Sequence, residues 1–364
     1  MSNWIYKQPV EIIFGSGKIK ELSGLCEGYV RPVIVCDKFF ETNGQADDFK
    51  RILNTELLFS DISPNPDVTE VNRCSCMIRE SEGDIIVAFG GGSAMDLAKA
   101  ASLGVDRIEE YHGTGKAVPG QHIPVIAVPT TSGTGSEVTC VSVLTDRSIS
   151  KKCPINSESF YPAAAIIDPE LTLSVPPKVT ASTGIDVLCH AVEGYWSTGY
   201  QPICDALAAH SAKLVFEWLP KVYDRPDDLE ARESLAEASV IAGLAFTLPK
   251  TTGSHACSFP LTSIYGIPHG EACGLTLDYF ARVNAKDKRT QNLARLLGFN
   301  NVGELADGIL SLKKRVGLRT DLKDLKLDDD QIDELVRLSH HPNLDNNPIP
   351  VSDEILYRMY RGYI

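Results

Sequence analysis

The sequence predicts a two-domain protein in which an α/β domain precedes an all-helical domain. Up to about residue 175, short apolar runs rich in β-branched residues alternate with turns and helical segments. From residue 176 onward the apolar residues recur at helical spacing instead. Because Pro176 and Pro177 stand at this change, we expect domains at residues 1–175 and 176–364.

Composition and charge exclude several classes of protein. Hydrophobic and charged fractions of 43% and 23% are those of a globular protein with a large core. A formal net charge of −13 argues against a nucleic-acid-binding surface. Residues 1–9 lack a signal-peptide pattern, and no apolar run reaches membrane-spanning length. We therefore expect a cytoplasmic protein with neither a nucleic-acid nor a membrane partner.

The ten cysteines are scattered and form no Cys-x-x-Cys pair. Cys36, Cys189 and Cys273 stand in apolar stretches, where a thiol behaves as a small hydrophobe. The cysteines are therefore predicted to be reduced and mostly buried. His340 and His341, in a polar stretch, are predicted to be solvated.

The first strands of the α/β domain end in residues suited to a dinucleotide. Residues 11–22 predict a strand, a glycine turn and a helix, and residues 32–36 predict a strand buried on both faces. Asp37 follows that strand directly. A carboxylate there bonds the ribose hydroxyls and repels a 2′-phosphate, which would favour NAD over NADP. A solvated loop acid is the alternative.

Residues 84–100 carry the strongest local pattern of this domain. An apolar strand runs into three glycines and Ser93 and then into a helix. Glycines let the backbone approach a diphosphate, and the free N–H groups at the helix start face the anion. The spacing is neither Gly-x-Gly-x-x-Gly nor a P-loop, so a generic tight turn is the alternative. Residues 57–67, 123–139 and 163–173 predict further strands.

A possible metal site marks the helical domain. Asp186 and His190 are four residues apart and project from one face of a helix, and His255 and His269 follow downstream. One carboxylate and three imidazoles suit Fe(II) or Zn(II), whereas Ca or Mg calls for mostly oxygen ligands. A helix-surface or cap contact is the alternative for the Asp-x3-His pair.

Residues 181–194, and the step from His255 to the Pro-His-Gly at His269, resemble the iron-containing (group III) alcohol dehydrogenase family. The resemblance continues in order over nearly the full chain. It implies the dehydroquinate-synthase-like fold of that family. It also implies that Asp186, His190, His255 and His269 hold one catalytic metal, Fe2+ or Zn2+.

The same resemblance implies a set of cofactor-binding residues for NAD, or NADP. Asn65 would lie beside the adenosine end, and the glycine turn would bind the pyrophosphate, with Asp96 orienting it. The remaining positions would contact the ribose and nicotinamide. The full set is Asp37, Asn65, Gly91, Gly92, Ser93, Asp96, Thr130, Thr131, Thr139, Val141, Lys152 and Leu171.

The activity that the family implies is hydride transfer between the nicotinamide and a small primary alcohol or aldehyde, in a cleft between the domains. Residues 249–263 resemble the phosphonoacetaldehyde reductase (2-hydroxyethylphosphonate dehydrogenase) subgroup. Lys250, next to Thr251 in the sequence, would form an ion pair with the phosphonate. A surface lysine is the alternative. Phe259 replaces a histidine that many members use as a proton relay, so the proton would leave through water, Thr251 or Ser258, or the ribose.

Two other functions stay open on the sequence. One is a general short-chain alcohol or diol dehydrogenase of the lactaldehyde/propanediol type. The other is a dehydroquinate-synthase-like lyase, which should need several basic residues near the metal, where the sequence offers only Lys250. For the assembly we expect a homo-oligomer, such as a dimer.

Overall fold

Two units make up residues 4–114, 116–148 and 151–364, which the computed structural model describes. The α/β unit comprises Lys7–Thr131 and Gly135–Thr172, and the helical unit comprises residues 4–6, Ser132–Thr134 and Leu173–Ile364. The predicted fold class is confirmed. The domain boundary at residue 176 stays a prediction. Among the described residues, no helix is both long and apolar enough to cross a membrane.

The α/β unit is built from short strands and helices. Its regular elements are β1 (Glu11–Phe14), α1 (Leu22–Leu25), β2 (Pro32–Cys36), α2 (Lys38–Thr42), α3 (Gln45–Leu53), β3 (Leu58–Phe59), α4 (Val68–Glu80), β4 (Ile85–Gly90), α5 (Gly92–Ala101), β5 (Val125–Pro129), β6 (Val141–Asp146), β7 (Lys151–Asn156) and β8 (Ala164–Ile167). Strands β6 and β7 form an antiparallel pair apart from the main sheet.

The main sheet is parallel and has the order β1-β8-β5-β4-β2-β3. Every residue of β2, β4 and β5 is buried, which explains their continuous apolar runs. The chain passes from β2 outward to β3 and returns on the other side of β2 at β4. The winding therefore reverses between β2 and β4, and ligands of such sheets bind at the carboxyl ends beside that point.

The helical unit contains nine α-helices in its described part. They are α6 (Pro177–Trp196), α7 (Pro202–Asp224), α8 (Leu229–Phe246), α9 (Gly253–Tyr265), α10 (His269–Val283), α11 (Lys288–Leu296), α12 (Val302–Arg315), α13 (Asp329–Ser339) and α14 (Asp353–Tyr363). Sixteen of the twenty residues of α6 are buried, so this helix runs through the core of the unit.

Glycines on α10 allow this helix to lie very close to α6. A Cβ on Gly270 would collide with the carbonyl oxygen of Ser182 and would lie 2.9 Å from Cβ of Asp186. A Cβ on Gly274 would lie 2.7 Å from the side chain of Ile185. Small residues at this i, i+4 spacing bring the face of α10 that carries His269 against Asp186.

Candidate functional site

Helix α6 supplies the first two predicted metal ligands. Asp186 and His190 lie one turn apart, and their residues are only 3% and 5% exposed. The His190 ring stacks on Phe246 at a centroid distance of 4.1 Å and interacts with the backbone of Gly133. Asp186 Oδ1 and His190 Nδ1 are buried without a hydrogen-bond partner.

His255 lies in the first turn of α9 and is oriented by a buried carboxylate. Glu193 Oε2 bonds the Nδ1 atom of His255, while its Oε1 accepts from the backbone N–H groups of Thr252 and Ser254 at 3.2 and 2.7 Å. This contact turns His255 Nε2 toward Asp186 Oδ1, 3.6 Å away. A carboxylate on the far nitrogen of a metal-binding histidine fixes its tautomer and raises its basicity.

Helix α10 contributes His269 as its first residue. The centroid of its ring lies 5.6 Å from that of His255, whose own ring centroid lies 4.6 Å from that of His190. Nδ1 of His269 lies 3.4 Å from the hydroxyl of Ser258, which supports the ring from α9. The structure therefore brings the four predicted ligands close together. Asp186, His190 and His255 are buried, and His269 is partly buried.

One group of potential metal-donor atoms within 4.8 Å of one another comes from Asp186, His255, His269 and Cys273. On two of these residues a donor atom, Asp186 Oδ1 or His255 Nε2, is buried without a hydrogen-bond partner. Leaving such atoms unsatisfied costs about 1–3 kcal/mol each, and a divalent cation would satisfy both. The residues present therefore fit the metal that the sequence predicts.

Burial and neighbouring charges shape the protonation of this cluster. Burial raises the pKa of Asp186 to about 6, against the opposing effects of His255 and of a hydrogen bond from Cys273. Burial and the nearby His255 and His269 lower the pKa of His190 well below its ordinary value. His190 is therefore neutral at neutral pH, the form in which an imidazole binds a metal.

The three predicted substrate residues lie around the start and middle of α9. Lys250 has a left-handed backbone (φ 67°), an uncommon conformation for a residue with a side chain and one that clusters at functional sites. Thr251 is buried and accepts a bond from Asn343 Nδ2 at 2.8 Å. The ring centroid of Phe259 lies 6.2 Å from that of His269.

The prediction that His340 and His341 are both solvated is wrong for His341. His340 is exposed and bonds Asp353, but the ring centroid of His341 lies 4.6 Å from that of Phe259. Burial, and then the charge of His255, lower the pKa of His341. An imidazole from the far end of the chain thus lies beside the position where many family members carry a histidine.

The glycine turn of the α/β unit lies where the sheet predicts a ligand site. Gly91 precedes α5, and its N–H donates to Oδ2 of Asp37, the residue after β2, at 3.1 Å. Gly92 and Ser93 form the first turn of α5. Burial raises the pKa of Asp37 against the bond from Gly91. A carboxylate and a helix N-terminus are therefore adjacent at the β2–β4 reversal.

Three predicted cofactor residues form a second cluster. Asn65 N–H donates to Ser93 Oγ at 3.2 Å, and Lys152 Nζ donates to Asn65 Oδ1. Burial lowers the pKa of Lys152 to about 8, against the opposing charge of Asp96. This lysine is thus a partly desolvated cation placed beside the start of α5, as an anion-binding group requires.

A buried lysine that the sequence analysis did not single out supports the next predicted residues. Lys99 Nζ donates to Thr139 Oγ1 at 3.3 Å, to Val141 O at 3.1 Å and to Ser136 Oγ at 2.7 Å. Asp96 accepts from Ser136 Oγ at 2.5 Å. Asp96 and Lys99 therefore tie α5 to the segment that carries Thr139 and Val141. A lysine in the apolar run of residues 94–101 was the available signal.

The remaining predicted cofactor residues lie at two separate places. Thr130 is buried after β5, and its N–H bonds the carbonyl of Gly90 at 2.9 Å. Thr131 borders the glycine turn, since a Cβ on Gly91 would lie 3.5 Å from its Oγ1. Leu171 instead lines a surface groove with Ile19 and Phe49, among other residues.

Comparison with known proteins assigns both units to one family. The model of the iron-containing alcohol dehydrogenase family matches residues 9–169, and the model of the family's C-terminal region matches residues 180–363. The NAD-dependent methanol dehydrogenase of Bacillus methanolicus is 35% identical over 306 residues, which cover 81% of this chain and 80% of that protein.

Solved structures agree with this assignment. The sulfoacetaldehyde reductase of Bifidobacterium kashiwanohense in complex with NAD+ has a TM-score of 0.97 and 57% identity, covering 100% of this chain and 99% of that one. A 1,3-propanediol oxidoreductase has a TM-score of 0.93 and 30% identity, with 100% of both chains covered. The chain therefore belongs to the iron-containing alcohol dehydrogenase family and is an iron-type, NAD-dependent oxidoreductase of alcohols and aldehydes.

Proposed function

We propose that the chain uses NADH to reduce a two-carbon aldehyde that carries a tetrahedral anionic group, a sulfonate or a phosphonate. The observation that carries the proposal is the buried donor cluster, in which Asp186 Oδ1 and His255 Nε2 lie 3.6 Å apart without other partners. The sulfoacetaldehyde reductase neighbour and the resemblance of residues 249–263 to phosphonoacetaldehyde reductases support the anionic substrate.

Asp186, His190, His255 and His269 would hold the metal, Fe2+ or Zn2+. When bound there, such an ion acts as a Lewis acid toward the aldehyde or alcohol oxygen. Glu193 keeps Nε2 of His255 directed at the cluster, and the close packing of α6 and α10 holds His269 against Asp186. The protein thus positions its donors before any substrate arrives.

The predicted cofactor residues of the α/β unit would bind the dinucleotide. Gly92 and Ser93 would offer backbone and hydroxyl donors to the pyrophosphate, and Lys152 would add a positive charge. Gly91, whose N–H bonds Asp37, would allow the backbone to approach the pyrophosphate closely. Asp37 would accept from the ribose hydroxyls. Lys99 would position the Thr139–Val141 segment for the nicotinamide, since it bonds both of those residues.

We assign the anion-binding role to Lys250, with Thr251, the next residue, as a neutral neighbour. His341, whose pKa is lowered by burial, is a further neutral group of the same unit. The strained backbone of Lys250 favours a functional role over that of an ordinary surface lysine. Thr251 is fixed by Asn343, and His341 by its contact with Phe259. A lysine and neutral donors on a rigid frame suit a small sulfonate or phosphonate.

An aldehyde panel tests this function directly. NADH oxidation would be followed with sulfoacetaldehyde, phosphonoacetaldehyde, propanal and lactaldehyde. One charge-assisted contact contributes about 1.5–3 kcal/mol, so we expect kcat/KM for an anionic aldehyde to exceed that for propanal roughly ten- to hundredfold. A preference for the uncharged aldehydes would instead support the alternative of a short-chain alcohol or diol dehydrogenase, the type represented by the 1,3-propanediol oxidoreductase neighbour.

Replacing Lys250 with methionine should separate anion recognition from catalysis. We expect kcat/KM for the anionic aldehyde to fall about tenfold or more, because a charge-assisted contact is lost, while kcat/KM for propanal changes little. Lys286→Met, at an exposed lysine of the same unit, is the matched control. An equal loss of kcat/KM for both substrates would show that Lys250 stabilises the turn and does not recognise the anion.

Replacing Asp37 with glycine should improve the use of NADPH. Without the carboxylate that repels a 2′-phosphate, kcat/KM for NADPH should rise at least about tenfold relative to that for NADH, equivalent to roughly 1.4 kcal/mol. Asp37→Asn, which removes the charge at nearly constant size, should act in the same direction. An unchanged ratio in both variants would exclude Asp37 as the discriminating residue.

The proposal also includes a homodimer in the cytoplasm. All ten cysteines are free thiols in the structure, in keeping with a reducing compartment. Light scattering of the purified protein measures the assembly state.

A further inference from the structure

Hydrogen bonds attach the turn that carries Lys250 to a segment near the end of the chain. Asn343 Nδ2 donates to Thr251 Oγ1 at 2.8 Å, and Asn346 Nδ2 donates to the carbonyl of Thr251 at 3.0 Å. Both asparagines belong to a 3-10 helix for which His341 is the N-cap. The lysine turn and the imidazole of His341 are therefore held on one frame within the helical unit.

The imidazole of His341 presents a defined hydrogen-bond donor. Its Nδ1 atom accepts from the backbone N–H of Asn343 at 3.2 Å, so the ring is neutral and carries its proton on Nε2. Among the described residues this is the only hydrogen bond of the ring. The ring also packs against Phe259, at a centroid distance of 4.6 Å. The Nε2–H group is thus held in place and remains available to a ligand.

Lys250 supplies a positive charge to this frame, which comprises residues 249–259 and 341–347. The residue is half-buried, and in the part of the chain that the structure describes its ammonium group has no hydrogen bond or ion pair. It is also the only lysine or arginine of the frame. One unpaired cation together with a neutral donor matches a ligand that carries a single negative charge.

The other charged groups around the frame oppose a second negative charge on a ligand. Glu193 is a buried carboxylate that accepts from the backbone N–H of Thr252 and bonds Nδ1 of His255. Asp345, on the 3-10 helix, is exposed and also negative. A divalent metal in the donor cluster would be balanced by the carboxylates of Asp186 and Glu193. A doubly charged anion would therefore keep one charge without a counter-ion.

We infer that the site selects a singly charged tetrahedral anion, so that the preferred substrate is a sulfonate aldehyde and not a doubly ionised phosphonate. Lys250 forms the ion pair with this anion, and His341 donates its Nε2–H to one of the anion's oxygens. The inference rests on the proposed function and chooses between its two anions. A sulfonate carries one negative charge throughout the neutral range, whereas a phosphonate loses its second proton at roughly pH 6–7.

The pH dependence of two aldehydes on the same enzyme tests the charge selection. kcat/KM for NADH-dependent reduction would be measured with sulfoacetaldehyde and with phosphonoacetaldehyde between about pH 6 and 8. We expect the ratio to favour sulfoacetaldehyde and to rise about tenfold or more over this range, because the phosphonate monoanion becomes scarce. Ionisations of the free enzyme cancel in this ratio. A ratio that stays constant, or that shifts toward the phosphonate as the pH rises, would overturn the inference.

Variants of His341 test the second donor. His341→Phe keeps a ring against Phe259 but removes the Nε2–H donor. We expect kcat/KM for sulfoacetaldehyde to fall roughly tenfold, mainly through KM, while kcat/KM for propanal changes little. His341→Gln provides an N–H donor of similar reach and should recover most of the loss. His340→Phe is the matched control, because that neighbouring ring is exposed and bonds Asp353 instead.

The role of His341, the charge selection and the proposed function fail separately. An equal loss of kcat/KM for sulfoacetaldehyde and propanal in His341→Phe would show that His341 does not contact the anion. If both anionic aldehydes are preferred to propanal and phosphonoacetaldehyde is the better of the two at high pH, the proposed function stands and the charge selection falls. If propanal is preferred to both, the proposed function falls and the inference falls with it.

Discussion

Replacing His269 with alanine is expected to release the metal and to abolish NADH-dependent aldehyde reduction. The residue supplies one of the donors in a cluster whose other members converge from α6 and α9. A Lewis acid contributes several kcal/mol to such a reaction, so the rate should fall at least roughly a thousandfold. Elemental analysis of the purified variant measures the metal, and an NADH assay measures turnover.

The control for this variant is a histidine on the surface of the same unit. His210, on α7, is exposed and pairs only loosely with Glu237, at 3.6 Å. His210→Ala should keep both metal and activity. Metal retained at one equivalent in His269→Ala would show that the ligand set is wrong, whatever the activity of the variant.

Glu193→Gln should weaken metal binding although Glu193 is not itself a predicted ligand. The glutamate is fully buried, and the hydrogen-bond partners that the structure describes for its carboxylate are donors, among them Thr252 Oγ1 at 2.7 Å, Ser254 N–H and His255 Nδ1. A glutamine would direct its NH2 group at one of these donors. Loss of such a supporting carboxylate typically reduces metal affinity ten- to a hundredfold.

Competition with a chelator of known affinity measures this effect. Glu217→Gln removes an exposed carboxylate on α7 and should leave the affinity unchanged. The melting temperature of the metal-free variant distinguishes an orienting role of Glu193 from a purely structural one. If the role were purely structural, the substitution would lower the melting temperature without altering the metal affinity. An unchanged affinity would contradict the orienting role.

The order of elements was largely readable from the sequence, but the sheet topology was not. Strands β2, β4 and β5 are buried on both faces. Such strands can be predicted from the sequence because they appear as continuous apolar runs rich in β-branched residues. The position of β1 beside β8 depends on pairings between residues about 150 apart. Local composition carries no signal for such a pairing.

The site shows the same division between local and distant signals. Asp186 and His190 were paired by helical spacing, whereas the bond of Glu193 to His255 and the approach of Cys273 to the cluster become visible only once α6, α9 and α10 pack together. His341 had no local signal at all. It reaches Phe259 because the 3-10 helix Pro342–Asn346 packs against α9.

The donors of the cluster come from three helices separated by up to 83 residues of chain, from Asp186 to His269. An ion bound there would connect these three helices. Because it would bind the folded state and not the unfolded chain, it would stabilise the fold. At a free metal concentration one hundred times the dissociation constant, binding would raise the free energy of unfolding by about 2.7 kcal/mol. The supply of metal would then govern not only how fast each molecule works but how many molecules survive heat and proteolysis.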